Sequence, residues 1–312
     1  MSANSLIEFA PDALETETRL GAIGFTNTVP IYAGLPSHPL LSCHYHPPAT
    51  LNQWMLDGRL DISPVSSAFY LRHQGDFDLL DGLSVSSYGS VSSVLFLSES
   101  PLAELVARPG PIPVPDDSET SVALLAYLLE AETGVACQER FLTYPASDYQ
   151  HMLTSYGCAL VIGDRALQVS QTLKVLESGT ITKSVPNYVI DLSQEWVNKT
   201  GLPFVFAVWV TPKKLDNLVK QAVMTVHKLL LHHRDVFFDA SINNNWRTEL
   251  IQQASLDSGL SVDVLTHYYT HALNYQLDAT HQESLTRFDQ ILEQQALNQQ
   301  APQLEKHHVH SV

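Results

Sequence analysis

The chain is poor in basic side chains and in cysteine. Its 312 residues contain 17 Lys and Arg against 33 Asp and Glu, so the formal net charge is −16, and every lysine lies at or after Lys174. A basic surface for nucleic acid or for an anionic membrane is therefore not expected. Three scattered cysteines, Cys43, Cys137 and Cys158, are too few for a disulfide framework and favour a reducing compartment.

Long apolar runs are also absent. None approaches the ~20 residues that a membrane-spanning helix needs. Residues 1–18 lack a basic segment followed by an apolar one, so we expect a flexible acidic tail and not a secretory signal. These absences predict a cytoplasmic protein. Hydrophobic residues still make up 45% of the chain, which is enough for one large domain or two moderate ones.

Several motifs of nucleotide, metal and hydrolase chemistry are missing. The sequence contains no Gly-x-Gly-x-x-Gly, Walker loop or His-Glu-x-x-His. Ser66 and Ser67 lack the Gly-x-Ser-x-Gly frame of a nucleophile elbow. His267 and His271 lie one helical turn apart but have no evident third ligand, so an exposed helix face is expected there. The sequence predicts no metal site.

Strand-like and helix-like patterns alternate over the first two thirds of the chain. Buried strands are predicted at Thr18–Ile23, Leu41–His46, "LDISPVS", Ser90–Ser98, "PIPVP" and "CALVI". Helices are predicted in "PPATLNQWMLDG", "DDSETSVALLAYLLEAETG" and the residues after "IGD". This alternation predicts an α/β fold with mostly parallel sheets.

The segment "TGLPFVFAVWV" places turn residues directly before a nearly unbroken apolar run. Its β-branched and aromatic residues, bounded by Pro212, predict a central strand covered on both faces. The pattern then changes to long helices, predicted at Lys213–Phe238, Trp246–Gly259, Val262–Leu277 and Gln282–Gln295. Residues 298–312 are expected to be a disordered tail.

Two α/β segments joined by extended strands predict a two-lobed protein. The first lobe is expected to be discontinuous and to hold residues 19–98 and 209–297, including the C-terminal helices. The second lobe is expected to hold residues 99–208. In such folds the carboxyl ends of the strands face a cleft in which ligands bind.

Four polar stretches fall at predicted strand ends: "FTNTVP", "SYGSVSSV", "DSETS" and "IGDRAL". Their Gly, Ser, Thr and Asn residues supply neutral hydrogen bonds and free backbone N–H groups, which can hold a carboxylate or phosphate. Ordinary turn and cap chemistry is the alternative. Convergence of the four stretches on one cleft would favour the binding site.

Longer strings in and around these stretches carry a family resemblance. Six of them resemble the chorismate dehydratase family of the futalosine route to menaquinone: "GFTNTVP", "GRLDISPVSS", "YGSVSSVLFLS", "SETSVALL", "VIGDRAL" and "DLSQEWVNKTGLPFVFAVW". The last of the six is the most specific. The resemblance runs in order from about Arg19 to Phe288 and includes the C-terminal "LNYQLDATHQESLTRF". A related enzyme of the same pathway acts on a later intermediate, and "TGLPFVFAVW" favours the dehydratase.

The resemblance implies a clamshell fold like that of type II periplasmic binding proteins. It also implies a cytoplasmic lyase, without metal or organic cofactor, that removes water from chorismate to give 3-[(1-carboxyvinyl)oxy]benzoate. Asn27 and Ser93 match polar family residues of the active site and are the expected catalytic residues. The residues expected to bind the substrate are Ser66, Ser67, Gly89, Val91, Ser118, Thr120, Ser121, Gly163 and Asp164.

Several points stay open at this stage. The proton acceptor is Asp164 or the substrate's own side-chain carboxylate, and Arg19 or Arg165 is a candidate cation for the bound acid. A non-catalytic module that binds a small anion in the same clamshell is the rival function. A small molecule is the expected partner, with neither nucleic acid nor membrane, and the protein is expected to be a monomer or a homodimer.

Overall fold

The computed structural model describes residues 14–35, 37–177, 186–239 and 245–306. The strands are β1 (Thr18–Ile23), β2 (Leu41–His46), β3 (Ser63–Ser66), β4 (Phe77–Ser87), β5 (Val94–Ser98), β6 (Ile112–Pro115), β7 (Phe141–Tyr144), β8 (Cys158–Ile162), β9 (Tyr188–Asp191) and β10 (Phe204–Pro212). The α-helices are α1 (Val29–Tyr32), α2 (Pro48–Leu56), α3 (Ser67–Arg72), α4 (Leu102–Ala107), α5 (Glu119–Thr133), α6 (Tyr149–Tyr156), α7 (Gly163–Glu177), α8 (Leu192–Thr200), α9 (Asn217–Phe238), α10 (Asn245–Ser258), α11 (Val262–His267) and α12 (Ala279–Lys306).

Two groups of strands organise the chain. In the first, β1 pairs with β2, and β10 lies between β3 and β4. The Gly21 N–H donates to the Ile62 carbonyl at 2.8 Å, which joins β1 to the segment leading into β3. In the second group, β5 lies between β8 and β9, β6 pairs with β7, and β6 packs beside β8. The alternating α/β pattern of the sequence is confirmed.

Strand direction differs from the sequence prediction of mostly parallel sheets. The β1–β2 and β6–β7 pairs are parallel. However, β10 runs antiparallel to β3 and β4, and β5 runs antiparallel to β8 and β9. A helical crossover within one sheet returns the chain parallel to its starting strand. Both β5 and β10 instead follow connections from the other group of strands, so that constraint does not apply to them.

The limits of the two lobes stay a prediction, and two of them separate or divide paired strands. A limit after Ser98 separates β5 from its partners β8 and β9, and a limit at residue 208 divides β10. The pairing therefore favours crossover segments at 88–93 and 201–203.

The conspicuous "TGLPFVFAVW" segment links α8 to β10. Gly201 adopts φ +72° and ends α8, a left-handed conformation that glycine takes at little cost. Phe204 is fully buried, with ring centroids 5.2 Å from Trp196 and 5.1 Å from Phe288. Trp209 is also buried, and its indole N–H donates to the Tyr32 hydroxyl at 2.9 Å. The segment is therefore a covered central strand, as predicted.

The predicted helix Val262–Leu277 ends early. After α11, one π-helical turn covers Tyr268–Ala272, and the chain then becomes extended. Asn274 and Ser86 exchange backbone hydrogen bonds of 2.7 and 2.8 Å, so this extended segment pairs with β4. This pairing satisfies backbone N–H and C=O groups on the open edge of β4. A continued helix would have left those groups without a partner.

The described residues overlap the inner ends of both predicted tails. Leu14 is buried in the core and β1 begins at Thr18, so ordered structure starts within the predicted tail of residues 1–18. At the other end, α12 continues to Lys306, past Gln295, where the helix was predicted to end, and into the predicted tail of residues 298–312. Residues 1–13 and 307–312 lie outside the described ranges. Within those ranges no helix is both long and apolar enough to cross a membrane.

Candidate active site

A cavity of about 650 Å³ opens where the four polar strand-end stretches meet. Asn27 comes from the first stretch, Ser93 from the second and Gly163 from the fourth. The third contributes Asp117 to Ser121, and Ser66 at the end of β3 also lines the cavity. The convergence that would favour a binding site over ordinary turn chemistry is thus present.

The amino end of α5 faces this cavity. Ser118 is its N-cap residue, but the Ser118 side chain makes no capping hydrogen bond. The first-turn N–H groups of a helix have no intrahelical partners, and they carry the positive end of the helix dipole. Residues Ser118 to Ser121 all line the cavity. The arrangement suits an anionic group of a ligand.

Asp117 lies directly before this helix. Its Oδ1 is buried without a hydrogen-bond partner. Burial raises the pKa of the Asp117 carboxyl, and the neighbouring Asp116 raises it further. The carboxyl group therefore has a larger protonated fraction than an exposed aspartate at the same pH.

Asn27 sits on a short turn of Thr26–Thr28 that the surrounding structure fixes. The Tyr275 hydroxyl donates to the Asn27 backbone carbonyl at 2.8 Å, and the Thr28 hydroxyl donates to the Ile23 carbonyl at 2.9 Å. The side-chain Oδ1 of Asn27 is buried and has no hydrogen-bond partner in the protein. It is thus an acceptor held ready for a donor in the cavity.

Ser93 is held by an unusual backbone conformation. The preceding Ser92 has φ +61°, which a serine rarely adopts. Its N–H donates to the Asp191 carboxylate at 2.7 Å, and the Gly163 N–H donates to the Ser93 carbonyl at 2.8 Å. The Tyr268 hydroxyl lies close enough to the Ser93 side chain to interact with it. Such strained positions concentrate at functional sites.

Two further predicted residues, Thr120 and Ser66, form hydrogen bonds that connect the cavity wall to helices α3 and α2. The Ala68 N–H donates to Thr120 Oγ1 at 2.9 Å, which ties the start of α3 to the start of α5. Ser66 is paired with Asn52, which donates from its amide to Ser66 Oγ at 3.2 Å and accepts from the Ser66 N–H at 3.3 Å. The backbone around both residues is thereby fixed.

Three predicted substrate-binding residues do not line this cavity. The Ser67 hydroxyl is fully buried and donates to the Val205 carbonyl at 2.5 Å. Val91 is a core residue. Gly89 lies in the crossover segment with φ +131°, beside the Gln194 side chain. Their place in the fold supports structural roles, since none of them borders the cavity.

Asp164 follows Gly163 but faces the other way. Its carboxylate accepts from the Thr26 hydroxyl and from the Thr26 N–H, the latter at 3.2 Å. It borders a separate cavity of about 330 Å³, together with Asp257 and Tyr45. Burial raises the pKa of Asp164, while the Thr26 hydrogen bonds lower it. Asp164 was one of two candidate proton acceptors. Its placement does not support that role, because the carboxylate does not border the large cavity.

The cation of the cavity was missed by sequence reasoning. Arg19 pairs with Asp61 at 2.6 Å, and neither Arg19 nor Arg165 lines the cavity. Among the described residues that do line it, Arg72 is the arginine, and it forms an ion pair with Glu119. Arg72 ends the short helix α3, and no motif in the sequence marks that position.

Aromatic and apolar side chains complete the cavity. Phe25, Phe69, Phe206, Tyr268 and Leu273 border it beside the polar groups. A mixed wall of this kind suits a small ring with polar substituents. In the described ranges no group of three or more His, Cys, Asp or Glu residues could hold a metal ion.

Comparison with known proteins places this chain among enzymes of one pathway. Residues 18–294 match a family model described as menaquinone biosynthesis. A Thermus thermophilus protein named chorismate dehydratase is 35% identical over 215 residues, which cover 65% of this chain and 75% of that protein.

Solved structures with low sequence identity share the fold. An Archaeoglobus fulgidus protein has a TM-score of 0.63 and 13% identity, over 90% of this chain and 98% of its own. The periplasmic aliphatic sulphonate binding protein SsuA of Escherichia coli has a TM-score of 0.59 and 13% identity, over 90% and 93%. These similarities confirm the predicted two-lobed fold of the periplasmic-binding-protein type and say nothing about the ligand.

Proposed function

Because the chain belongs to the menaquinone biosynthesis family, we propose that it is a chorismate dehydratase. In this reaction a lyase removes water from chorismate and releases 3-[(1-carboxyvinyl)oxy]benzoate for the futalosine route. The proposed setting is the cytoplasm, with the protein as a monomer or homodimer. A substrate-sized cavity that holds both Asn27 and the amino end of α5 is the observation that carries the proposal.

The polar groups of the cavity match those of chorismate. The substrate carries two carboxylates, on the ring and on the enolpyruvyl side chain, and one hydroxyl group at C4. The first turn of α5, with Ser118, Thr120 and Ser121, suits the ring carboxylate. The unpaired Oδ1 of Asn27 is an acceptor, and the C4 hydroxyl is the hydrogen-bond donor that the ionised substrate offers.

The elimination forms a benzene ring. Loss of the C3 proton sends electrons towards the ring carboxylate, loss of the C4 hydroxyl follows, and the proton and hydroxyl leave together as one water. Aromaticity supplies the driving force, so the protein mainly has to orient the ring and stabilise charge on the ring carboxylate. The helix dipole of α5 favours that charge, and Ser93 supplies a further hydroxyl beside it.

The proton acceptor is proposed to be the substrate's own side-chain carboxylate. Asp164, the alternative, is bound to Thr26 and borders a different cavity. The C3 hydrogen and the C4 hydroxyl lie on the same face of the ring because the two ring substituents are trans. The enolpyruvyl oxygen and the C3 hydrogen are bonded to the same carbon, so the side-chain carboxylate can reach that hydrogen through a six-membered ring. Asn27 orients the C4 hydroxyl, which leaves with the proton as water.

The test is incubation of the purified protein with chorismate. Mass spectrometry should detect a product lighter by one water, and its formation should scale with protein concentration. The Asn27→Ala variant is the control for a contaminating activity. A thermal shift on adding chorismate, with no product at any protein concentration, would support the rival anion-binding module and overturn the enzyme.

A further inference from the structure

The charges around the large cavity are poorly matched to a doubly negative substrate. Asp116, Asp117 and Glu119 border the cavity, whereas Arg72 and His73 are the basic residues among its described lining residues, and none of those described residues is a lysine. Arg72 is moreover already paired with Glu119. A dianion entering the cavity would meet carboxylates and a neutralised guanidinium.

The ion pair joins two neighbouring helices that both border the cavity. Arg72 ends α3, and Glu119 begins α5. Their side chains are 49% and 35% exposed, so water still reaches both. Exposed pairs of this kind add little to stability, and exchange of one carboxylate for another costs little.

Glu119 does not depend on Arg72. It lies in the first turn of α5, where the helix dipole stabilises a negative charge. If the ion pair breaks, the helix dipole still stabilises the Glu119 carboxylate. Arg72 can therefore move to another carboxylate at little cost in free energy. A guanidinium can hold a second carboxylate with two parallel hydrogen bonds, and the bond strengthens as a ligand excludes water.

From this arrangement we propose that Arg72 is a substrate-binding residue and that Glu119 is a built-in competitor for it. The incoming carboxylate displaces Glu119 from the guanidinium. Given the proposed function, the carboxylate is the ring one, because Arg72 meets α5 at its first residue, Glu119, and the enolpyruvyl carboxylate has to stay free to accept the proton. Glu119 thus weakens binding of acids that cannot make both contacts.

The proposal predicts opposite effects of two substitutions that break the same ion pair. Glu119→Gln frees Arg72 and should lower KM for chorismate several-fold. Arg72→Gln removes the cation and should raise KM about tenfold or more. In the double variant KM should match that of Arg72→Gln, since the competitor matters only while the cation is present.

The matched control is the ion pair between Arg108 and Glu104, which is exposed and borders neither cavity. Glu104→Gln and Arg108→Gln should leave KM unchanged. Thermal unfolding of all variants verifies that each is folded. If Glu119→Gln and Arg72→Gln shift KM in the same direction, or not at all, the pair is merely structural and the proposal is wrong.

A binding arm separates this inference from the proposed reaction. Calorimetric titration with benzene-1,3-dicarboxylate should show tighter binding to Glu119→Gln and weaker binding to Arg72→Gln than to the wild type. If wild-type protein leaves chorismate intact while this order of affinities holds, the dehydratase function fails and Arg72 remains the anion-binding residue. If the order fails while chorismate is dehydrated, only the role of Arg72 is overturned.

Discussion

Replacing Asn27 by alanine should separate catalysis from stability. The side-chain Oδ1 of Asn27 is a buried acceptor without a partner in the protein. An unsatisfied group of this kind costs about 1–3 kcal/mol of folding free energy. Alanine removes the orphaned oxygen but keeps the backbone carbonyl that accepts from the Tyr275 hydroxyl.

The magnitude follows from two opposing contributions. Loss of the orphaned acceptor stabilises the fold, and loss of the packing made by this half-buried side chain destabilises it by a similar or smaller amount. The free energy of unfolding should therefore stay constant or rise by up to about 2 kcal/mol. The rate should fall about 10²- to 10³-fold, as when one positioned hydrogen-bonding group is removed from an active site.

Two measurements check this expectation. Urea denaturation gives the free energy of unfolding, and single-turnover kinetics with chorismate give the rate of the chemical step. Asn198→Ala is the matched control, because Asn198 is exposed on α8 and lies outside the cavity. A variant that keeps a near wild-type rate, or that loses rate and more than about 1 kcal/mol of stability together, would refute the role given to Asn27.

Three other changes test separate parts of the structure. Asp164→Asn should keep kcat within about tenfold of wild type, because the carboxylate binds Thr26. Removal of a true general base would lower kcat at least about 10²-fold. Gly21→Ala should destabilise the fold by about 2–3 kcal/mol, because the new Cβ would lie 2.8 Å from Ser63 Cβ; Ser63→Gly should restore part of this in urea denaturation. Burial lowers the pKa of His233 to about 4, below the 6.5 of an unperturbed histidine, so the unfolded chain binds a proton first and stability is lost as pH falls from about 6.5 to 4. The loss should be about 3 kcal/mol, and a His233→Gln variant with the same pH dependence of unfolding as the wild type would contradict it.

Much of the fold could be predicted because it is encoded locally. The strand β10 has a turn before it, β-branched and aromatic residues within it, and Pro212 at its end. The carboxyl ends of strands carry the polar stretches, and strand topology alone brings those ends together. The meeting of Asn27, Ser93 and Ser118 at one cavity was expected from the family resemblance, whereas their spacing alone left ordinary turn and cap chemistry open.

The errors have a different physical origin. The sequence reasoning placed no strand at β4, whose Gly82 at φ +83° and register shifts against β10 interrupt the alternation. The direction of β5 and β10 depends on which group of strands the chain comes from. Asp164 faces Thr26, 138 positions away in sequence, so its orientation is a tertiary property. The same holds for Arg72: it lies only six positions after Ser66, but no motif marks it, and its pairing with Glu119 is a tertiary property.

The overall charge of −16 bears on how such a cavity can bind a dianion. Long-range repulsion is screened over about 8–10 Å at physiological salt, so it slows approach more than it weakens the bound state. Inside the cavity, dipoles are fixed at short range in a medium of low dielectric constant, and their effect is not screened in this way. The first turn of α5 and the Asn27 amide are such fixed groups, so the favourable binding free energy must come from contacts with them and with Arg72. A cavity with a surplus of lysines would bind many acids; one that relies on aimed dipoles and a single contested arginine binds only an acid whose groups reach all of them.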